Sequence, residues 1–313
     1  MMFTAIVESA LKILSKAGFK VTDLVETKPR CFDIIARKDD IVLLIKVLYN
    51  VDSLKQEMAS DMKLVAKILN ASPIVVGEKF KTDYLERGVV YNRYGLPVIN
   101  TATFYDFVVE GILPMVYSAP GGYYVKLDRK KVKEAREKRG LTIGTLARML
   151  GVSRRIIKKY EEGGDTSLEN AVKLEEVLGE YVVKEIDLLN FVEFDEVKEK
   201  KSIENLEKGE AEIVEQLREI GLNVHTVKHA PFDIVSEVDK DPILTGIKQV
   251  REIEKRAAMI GKVSEVISAK ATYIVEKKVK KDVNSVVFLM KDELLCISSP
   301  KDLVSLIKEK YEN

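Results

Sequence analysis

Residues 129–178 read RKKVKEAREKRGLTIGTLARMLGVSRRIIKKYEEGGDTSLENAVKLEEVL. Val132, Ala135 and Arg136 open a helix at three- and four-residue spacing, and Gly140 closes it. Thr142 is placed to cap a second helix that carries Leu146, Ala147 and Leu150 on one stripe. Gly151 breaks that helix at a tight turn, Val152 plugs the turn, and Ser153 caps a third helix over 153–161. From that third helix Ile157 and Tyr160 face the core, which leaves Arg154, Arg155, Lys158 and Lys159 on the outer side. Ser167-Leu168-Glu169 starts a fourth helix whose Ala171, Leu174, Val177 and Leu178 point inward. The pattern describes an all-helical unit with one cationic helix face.

The surrounding charge sharpens that reading. The chain of 313 residues balances 51 Lys plus Arg against 50 Asp plus Glu, a net of +1. Residues 126–164 alone carry 13 basic and five acidic side chains, a local +8, so the rest sums to −7. Residues 175–215 carry 14 acidic and five basic ones. A basic island in an acidic chain is the footprint of a dedicated nucleic-acid-binding module. No run of about 18 uncharged apolar residues exists to form a membrane span, and a membrane partner is not expected. The N-terminus lacks the basic-then-apolar layout of a secretory signal, so a cytoplasmic location is expected. Two cysteines, Cys31 and Cys296, exclude a disulfide framework and a Cys-based zinc site. Two histidines, His225 and His229, leave little scope for His-dependent catalysis. No metal or other cofactor is expected.

The central segment resembles the Cro/C1-type (XRE-like) helix-turn-helix domain. The matching residues are Arg136, Leu141-Thr142, Leu146-Ala147, Gly151-Val152-Ser153, Ile157, Tyr160-Glu161, Gly163, Ser167-Leu168, Leu174 and Leu178. Ile143 departs from the pattern, standing where the family usually has a Gln that contacts the groove edge. The resemblance implies that the helix 153–161 lies in the major groove of double-stranded DNA. Arg154, Arg155 and Lys158 are then the base-reading candidates, and Thr142, Ser153 and Lys159 the phosphate contacts.

The segments on either side repeat one another. ALKILSKAGFKV and EIVEQLREIGLNV are amphipathic helices ending at Gly18 and Gly221. Phe32-Asp33-Ile34 and Phe232-Asp233-Ile234 follow, 200 positions apart. Strands end in Ile45-Lys46-Val47 and Ile247-Lys248-Gln249, long helices cover about 52–69 and 252–268, and apolar strands resume at Ala71 and Ala271. VINTATFYDFV and LLCISSPKDLVSLI are expected to close each half with short strands and a helix. A strand after a crossover helix implies parallel pairing and an α/β layer structure.

An Asp on one strand and a Lys at the end of the next resembles the restriction-endonuclease-like fold, including the archaeal Holliday-junction resolvases. In that fold a helix Glu, a strand Asp and a Glu-x-Lys element hold Mg²⁺ and position the attacking water. Glu8, Asp33 and Lys46 take those places in the first half, and Asp233 and Lys248 in the second. Leu44 and Gly246 are read at the second carboxylate position. Ala211 falls opposite Glu8, with Glu212 adjacent. A hard cation needs several oxygen ligands, so both halves are expected to be vestigial and non-enzymatic.

Three units are thus expected. They are a degenerate endonuclease-like α/β domain over 1–122, the helix-turn-helix domain over 123–182, and a second degenerate α/β domain over 183–313. The whole resembles archaeal helix-turn-helix transcriptional regulators of similar length. That resemblance implies a DNA-binding regulator; a sequence-specific one is expected, and one Cro/C1-type module per chain implies a homodimer whose interface the α/β halves would supply, with any effector left open. The alternative is a structure-selective nuclease or nuclease-derived repair factor that uses the helix-turn-helix for targeting.

Overall fold

The computed structural model describes residues 2–22, 30–194, 206–277, 279 and 283–312. The chain opens with α1 (Met2–Lys16), β1 (Lys20–Val21), β2 (Ile34–Lys38) and β3 (Ile41–Asn50). It continues with α2 (Gln56–Ile68), β4 (Ser72–Phe80), β5 (Asp83–Tyr84), β6 (Val89–Arg93), β7 (Leu96–Ile99) and α3 (Thr101–Tyr105). The strand order β1-β2-β3-β4-β7-β6 begins with antiparallel pairs and turns parallel at β3–β4 and β4–β7. The sequence of β3, IVLLIKVLYN, is a nearly continuous apolar run, as expected of a strand covered on both faces. Leu43, Ile45 and Val47 face α1, whereas Leu44 faces α2.

The second half repeats the plan with α8 (Lys208–Glu219), β12 (His225–Thr226), β13 (Ile234–Val238), β14 (Asp241–Gly246), α9 (Ile253–Ile267), β15 (Lys270–Val275) and β16 (Val287–Met290). Its pairings run antiparallel, antiparallel, parallel, parallel, as in β1-β2-β3-β4-β7. The closing segments differ from expectation. In the first half Asn100 ends the strand by capping α3, accepting from Thr103 N at 2.8 Å. In the second, Lys291–Cys296 is a 3-10 helix, and Pro300 opens α10 (Pro300–Glu312). Glu293 accepts the Met290 N–H at 2.7 Å and so turns the chain out of the strand.

The halves share one core. The helix α2 packs on its own β4 and on β13 of the other half, and α9 packs on β14, β15 and β2. Phe32 and Phe232, both fully buried, meet with ring centroids 6.4 Å apart. Leu44, Met62, Val65, Leu244, Ile260 and Val263 fill the layer around them. Polar contacts border it, with Asp61 accepting from Lys228 N and His229 N at 3.1 Å and pairing with His229 Nδ1 at 2.7 Å. The two α/β halves therefore join each other within one chain.

Between the halves, β8 (Val116–Ala119) and β9 (Gly122–Leu127) form a hairpin. The strand β8 pairs in parallel with β6, and so extends the first sheet. Then come α4 (Arg129–Lys138), α5 (Ile143–Leu150), α6 (Arg154–Glu161), β10 (Asp165–Ser167), α7 (Leu168–Leu178) and β11 (Val183–Lys184). The strands β10 and β11 both pair with β9, giving the helical unit a ribbon that its helix periodicity did not announce. Residues 186–192, grouped by sequence with the second α/β domain, return to the first. Ile186 and Leu188 join its α1-side core, and Ser72 Oγ donates to Leu189 O at 2.8 Å. The charged stretch 194–212, whose composition suits a solvated linker running into the second half, lies for the most part outside the described residues, which resume at Leu206 ahead of α8.

Emptying the shared core tests this architecture. Phe232→Ala is expected to lower the unfolding free energy by about 3–5 kcal/mol in guanidinium denaturation, as for other buried phenylalanines.

Candidate nucleic-acid interface

The helix-turn-helix is built from caps inward. Asp128 caps α4, accepting from Lys130 N and Lys131 N at 3.0 and 3.2 Å. Thr142 caps α5 through Thr145 N at 3.0 Å, and Ser153 caps α6 through Ile156 N at 3.3 Å. Gly151 takes φ +67° between α5 and α6, a turn that favours glycine because it has no Cβ. Val132, Ala135, Leu146, Ala147, Ile157, Tyr160, Ala171, Leu174 and Leu178 make the core, together with Val125 and Leu127 of β9. Tyr160 keeps its hydroxyl satisfied inside by sharing a 2.8 Å hydrogen bond with Thr166 Oγ1.

Arg136, one of the motif residues, is not on the outer surface. Its buried guanidinium pairs with Glu161 at the end of α6 and donates to Leu141 O at 2.8 Å, tying α4 to the α4–α5 turn. The cations on α6 behave differently. Arg154, Arg155, Lys158 and Lys159 are all exposed, and none makes an ion pair among the described residues. Arg154, Arg155 and Lys158 line an open cleft of about 810 Å³ with Thr142, Ile143 and Gly144. Ser153 and Lys159 do not line it, and the stem of Lys159 lies over Gly164 instead, where a Cβ would meet Lys159 Cγ at 2.6 Å.

Sequence reasoning passed over Gly144. A Cβ there would sit 3.0 Å from Arg154 Nε, so the glycine is what lets that guanidinium lie against the start of α5. Its signal was the departure Ile143-Gly144 itself, at the helix position where the resemblance expects a polar contact. Ile143 is half-buried against the core and adds no polar group to the cleft.

Comparison with known proteins agrees with this geometry. Residues 132–182 match the helix-turn-helix family, and residues 4–114 match the PD-(D/E)XK superfamily domain. A protein of Archaeoglobus fulgidus named as an HTH-type transcriptional regulatory protein is 65% identical over 99% of both chains. Proteins so named from Methanoculleus marisnigri and Halorubrum lacusprofundi are each 36% identical, covering 96% and 98% of this chain and 98% and 97% of their own. The chain belongs to this archaeal family of HTH-type transcriptional regulators. It is a DNA-binding transcriptional regulator, with its helix-turn-helix in the middle of the chain.

In this regulator the nuclease-like positions hold ion clusters. Asp33 is fully buried and pairs with Arg30, and its Oδ2 lies 3.2 Å from Lys46 Nζ and accepts Val47 N at 2.7 Å. Burial pulls the Lys46 ammonium below its ordinary value, and Asp33 opposes that pull. Asp233 pairs with Arg256 at 2.7 Å and Lys248 at 3.3 Å, and accepts Ile247 N at 2.9 Å. Two cations thus converge on the one carboxylate in each half. Glu8 lies on the exposed side of α1 and joins no ion pair among the described residues.

The strand register corrects the sequence alignment of the halves. Ile34 pairs with Ile45, and Ile234 with Thr245, so Lys46 corresponds to Gly246 and Leu44 to Leu244. Both leucines are fully buried. Lys248 stands two residues beyond the true counterpart and reaches back past the end of β14. A Cβ on Gly246 would meet Tyr273 Cε2 at 2.5 Å, so a buried tyrosine ring fills the space that Lys46 occupies in the first half. Glu210 was also missed. It is half-buried, its carboxyl is pushed up by burial and then by Asp233, and it accepts Glu207 N at 3.3 Å. Glu212, weighed in its place, instead pairs with Lys291.

Two substitutions separate fold from chemistry here. Asp33→Ala is expected to cost about 3–5 kcal/mol of stability, because it strands Lys46 and Arg30 as buried, uncompensated charges. Gly246→Ala is expected to cost about 1–3 kcal/mol by overpacking Tyr273. Thermal denaturation measures both, and DNA affinity measured well below the melting temperature should be unchanged.

Proposed function

We propose that this regulator reads duplex DNA in a sequence-specific way by laying α6 in the major groove. The observation that carries the reading is the division of labour on α6. Ile157 and Tyr160 are locked in the core while four cations that make no ion pair among the described residues stand outside. Arg154, Arg155 and Lys158 meet base edges, where a guanidinium bonds guanine O6 and N7 together. Thr142 and Ser153 meet phosphates. Each uses an oxygen lone pair for its cap; Ser153 keeps its hydroxyl hydrogen to donate outward, while Thr142 also shares a 2.9 Å hydrogen bond with the Thr145 hydroxyl. The starts of α5 and α6 add the positive ends of two helix dipoles. Lys159, leaning over Gly164, supplies charge to the backbone without reading sequence.

One reading helix per chain suits a homodimer on two half-sites spaced by about one helical turn, roughly 34 Å. Because the α2–α9 layer is occupied within the chain, that dimer forms through another surface. Bound at an operator in the cytoplasm, it blocks or recruits the transcription machinery.

The halves act here as carriers and not as nucleases. A Mg²⁺ site needs several oxygen ligands. Each half offers one buried aspartate with two cations on it, joined in the second half by the half-buried Glu210, and Leu44 or Leu244 stands where the strand's second carboxylate would be. Among the described residues no group of three or more His, Cys, Asp and Glu side chains could hold a metal ion. These residues do not fit a divalent cation, and supercoiled DNA incubated with the protein and Mg²⁺ or Mn²⁺ should stay intact.

Footprinting on the best genomic site, followed by titration, tests the reading itself. Arg155→Ala should weaken the cognate site by about 1–3 kcal/mol while leaving unrelated duplex nearly untouched. Lys159→Gln should weaken both alike and lower the salt slope by about one. An Arg154→Ala/Arg155→Ala variant that bound as tightly as the parent would end the assignment.

A further inference from the structure

A second concentration of cations lies on the first half, where β4, β5 and the β6–β7 hairpin end together. Lys79, near the end of β4, is 4.3 Å from the ring centroid of Tyr84 and 5.8 Å from that of Tyr49. Arg93, at the end of β6, is 4.5 Å from the centroid of Tyr94 and 5.8 Å from that of Phe80. Lys81 sits 5.9 Å from the same Phe80 ring. Lys63 reaches the hairpin turn from α2, its Nζ 3.3 Å from the place a Cβ would take on Gly95.

None of Lys63, Lys79, Lys81 and Arg93 makes an ion pair among the described residues. The acids of this region are held by neutral donors and not by its cations: Glu78 accepts the Thr101 hydroxyl at 2.5 Å and Asp52 accepts Lys81 N at 2.7 Å, and Asp83 stands on β5. Arg93 Nε is shielded from solvent and has no hydrogen-bond partner, an orphaned donor in a half-buried guanidinium. Such a donor costs stability. The rings are open as well, with Tyr84 65% and Tyr94 37% exposed. A cation over one face of a ring leaves the remaining surface free to stack.

We propose that this cluster is a second nucleic-acid site, one that binds an unpaired strand. Tyr84 and Tyr94 stack on its bases, and Lys63, Lys79, Lys81 and Arg93 hold its phosphates. A duplex would satisfy the cations but hides its base faces, so the exposed rings would go unused. An acidic peptide would likewise meet the cations and ignore the rings. An unpaired strand uses both, as sequence-tolerant single-strand sites do. The site is independent of the α6 reading, being built on other elements.

Fluorescence anisotropy of the full chain with a labelled 12-nucleotide oligothymidylate, and in parallel with a labelled duplex, tests it. Tyr84→Ala/Tyr94→Ala and Arg93→Gln are each expected to weaken oligothymidylate binding at least tenfold, with duplex affinity and melting temperature retained. Tyr84→Phe/Tyr94→Phe keeps the stacking surface and should bind within about twofold of the parent, on the view that stacking and not the hydroxyl carries the contact. Arg154→Ala/Arg155→Ala should spare the single strand, which keeps failure of this site distinct from failure of the α6 reading. The proposal is overturned if the parent does not bind the oligonucleotide, or if the tyrosine-to-alanine variant binds it as the parent does. Loss of single-strand binding with the α6 cations, or equal competition by a poly-glutamate peptide, would overturn it too.

Discussion

The packing of Phe32 against Phe232 is the contact on which the rest of the molecule depends. Around it α2 lies on a strand of the second sheet and α9 on a strand of the first, so each half covers a face that the other leaves bare. The shared layer also settles the fate of the two aspartates. Asp33 and Asp233 sit beside it and are buried, and a buried carboxylate needs compensating partners from the protein. Arg30 and Lys46 are those partners in one half, and Arg256 and Lys248 in the other. What began as a core-packing requirement thus fixes the polar chemistry beside it.

The two halves reach the same end by different residues. Where Lys46 rises from β3, its counterpart Gly246 yields to the ring of Tyr273, and Lys248 bends back from beyond the strand. The ion cluster is the conserved feature of the internal repeat, and the residue that supplies the cation is not. An ammonium that approaches to within a few ångströms from either side neutralises the same carboxylate.

The helix-turn-helix was legible in sequence because its determinants are local. Thr142 and Ser153 cap helices three residues downstream, and Gly151 needs only its own backbone angle. The repeat was legible from Phe-Asp-Ile recurring at a fixed interval. Its finer register was not, because the Lys-bearing segments IKV and IKQ look alike, and only the ladder partners Ile45 and Thr245 show the two-residue offset. Gly144, Glu210 and the ribbon β9-β10-β11 escaped for the same reason. Each matters through a neighbour distant in sequence, and no local periodicity carries that information. The return of Ile186 and Leu188 to the first half is a tertiary choice made by burial alone.

The strand β9 belongs at once to the hairpin that extends the first sheet and to the ribbon beneath the helix-turn-helix. Backbone hydrogen bonds therefore run without interruption from the nuclease-like sheet to the strands that floor the reading head. A head on a flexible tether can pivot to accept half-sites at many separations. One bonded into its carrier through a shared strand moves with it, so the orientation of the carrier is also the orientation of the head.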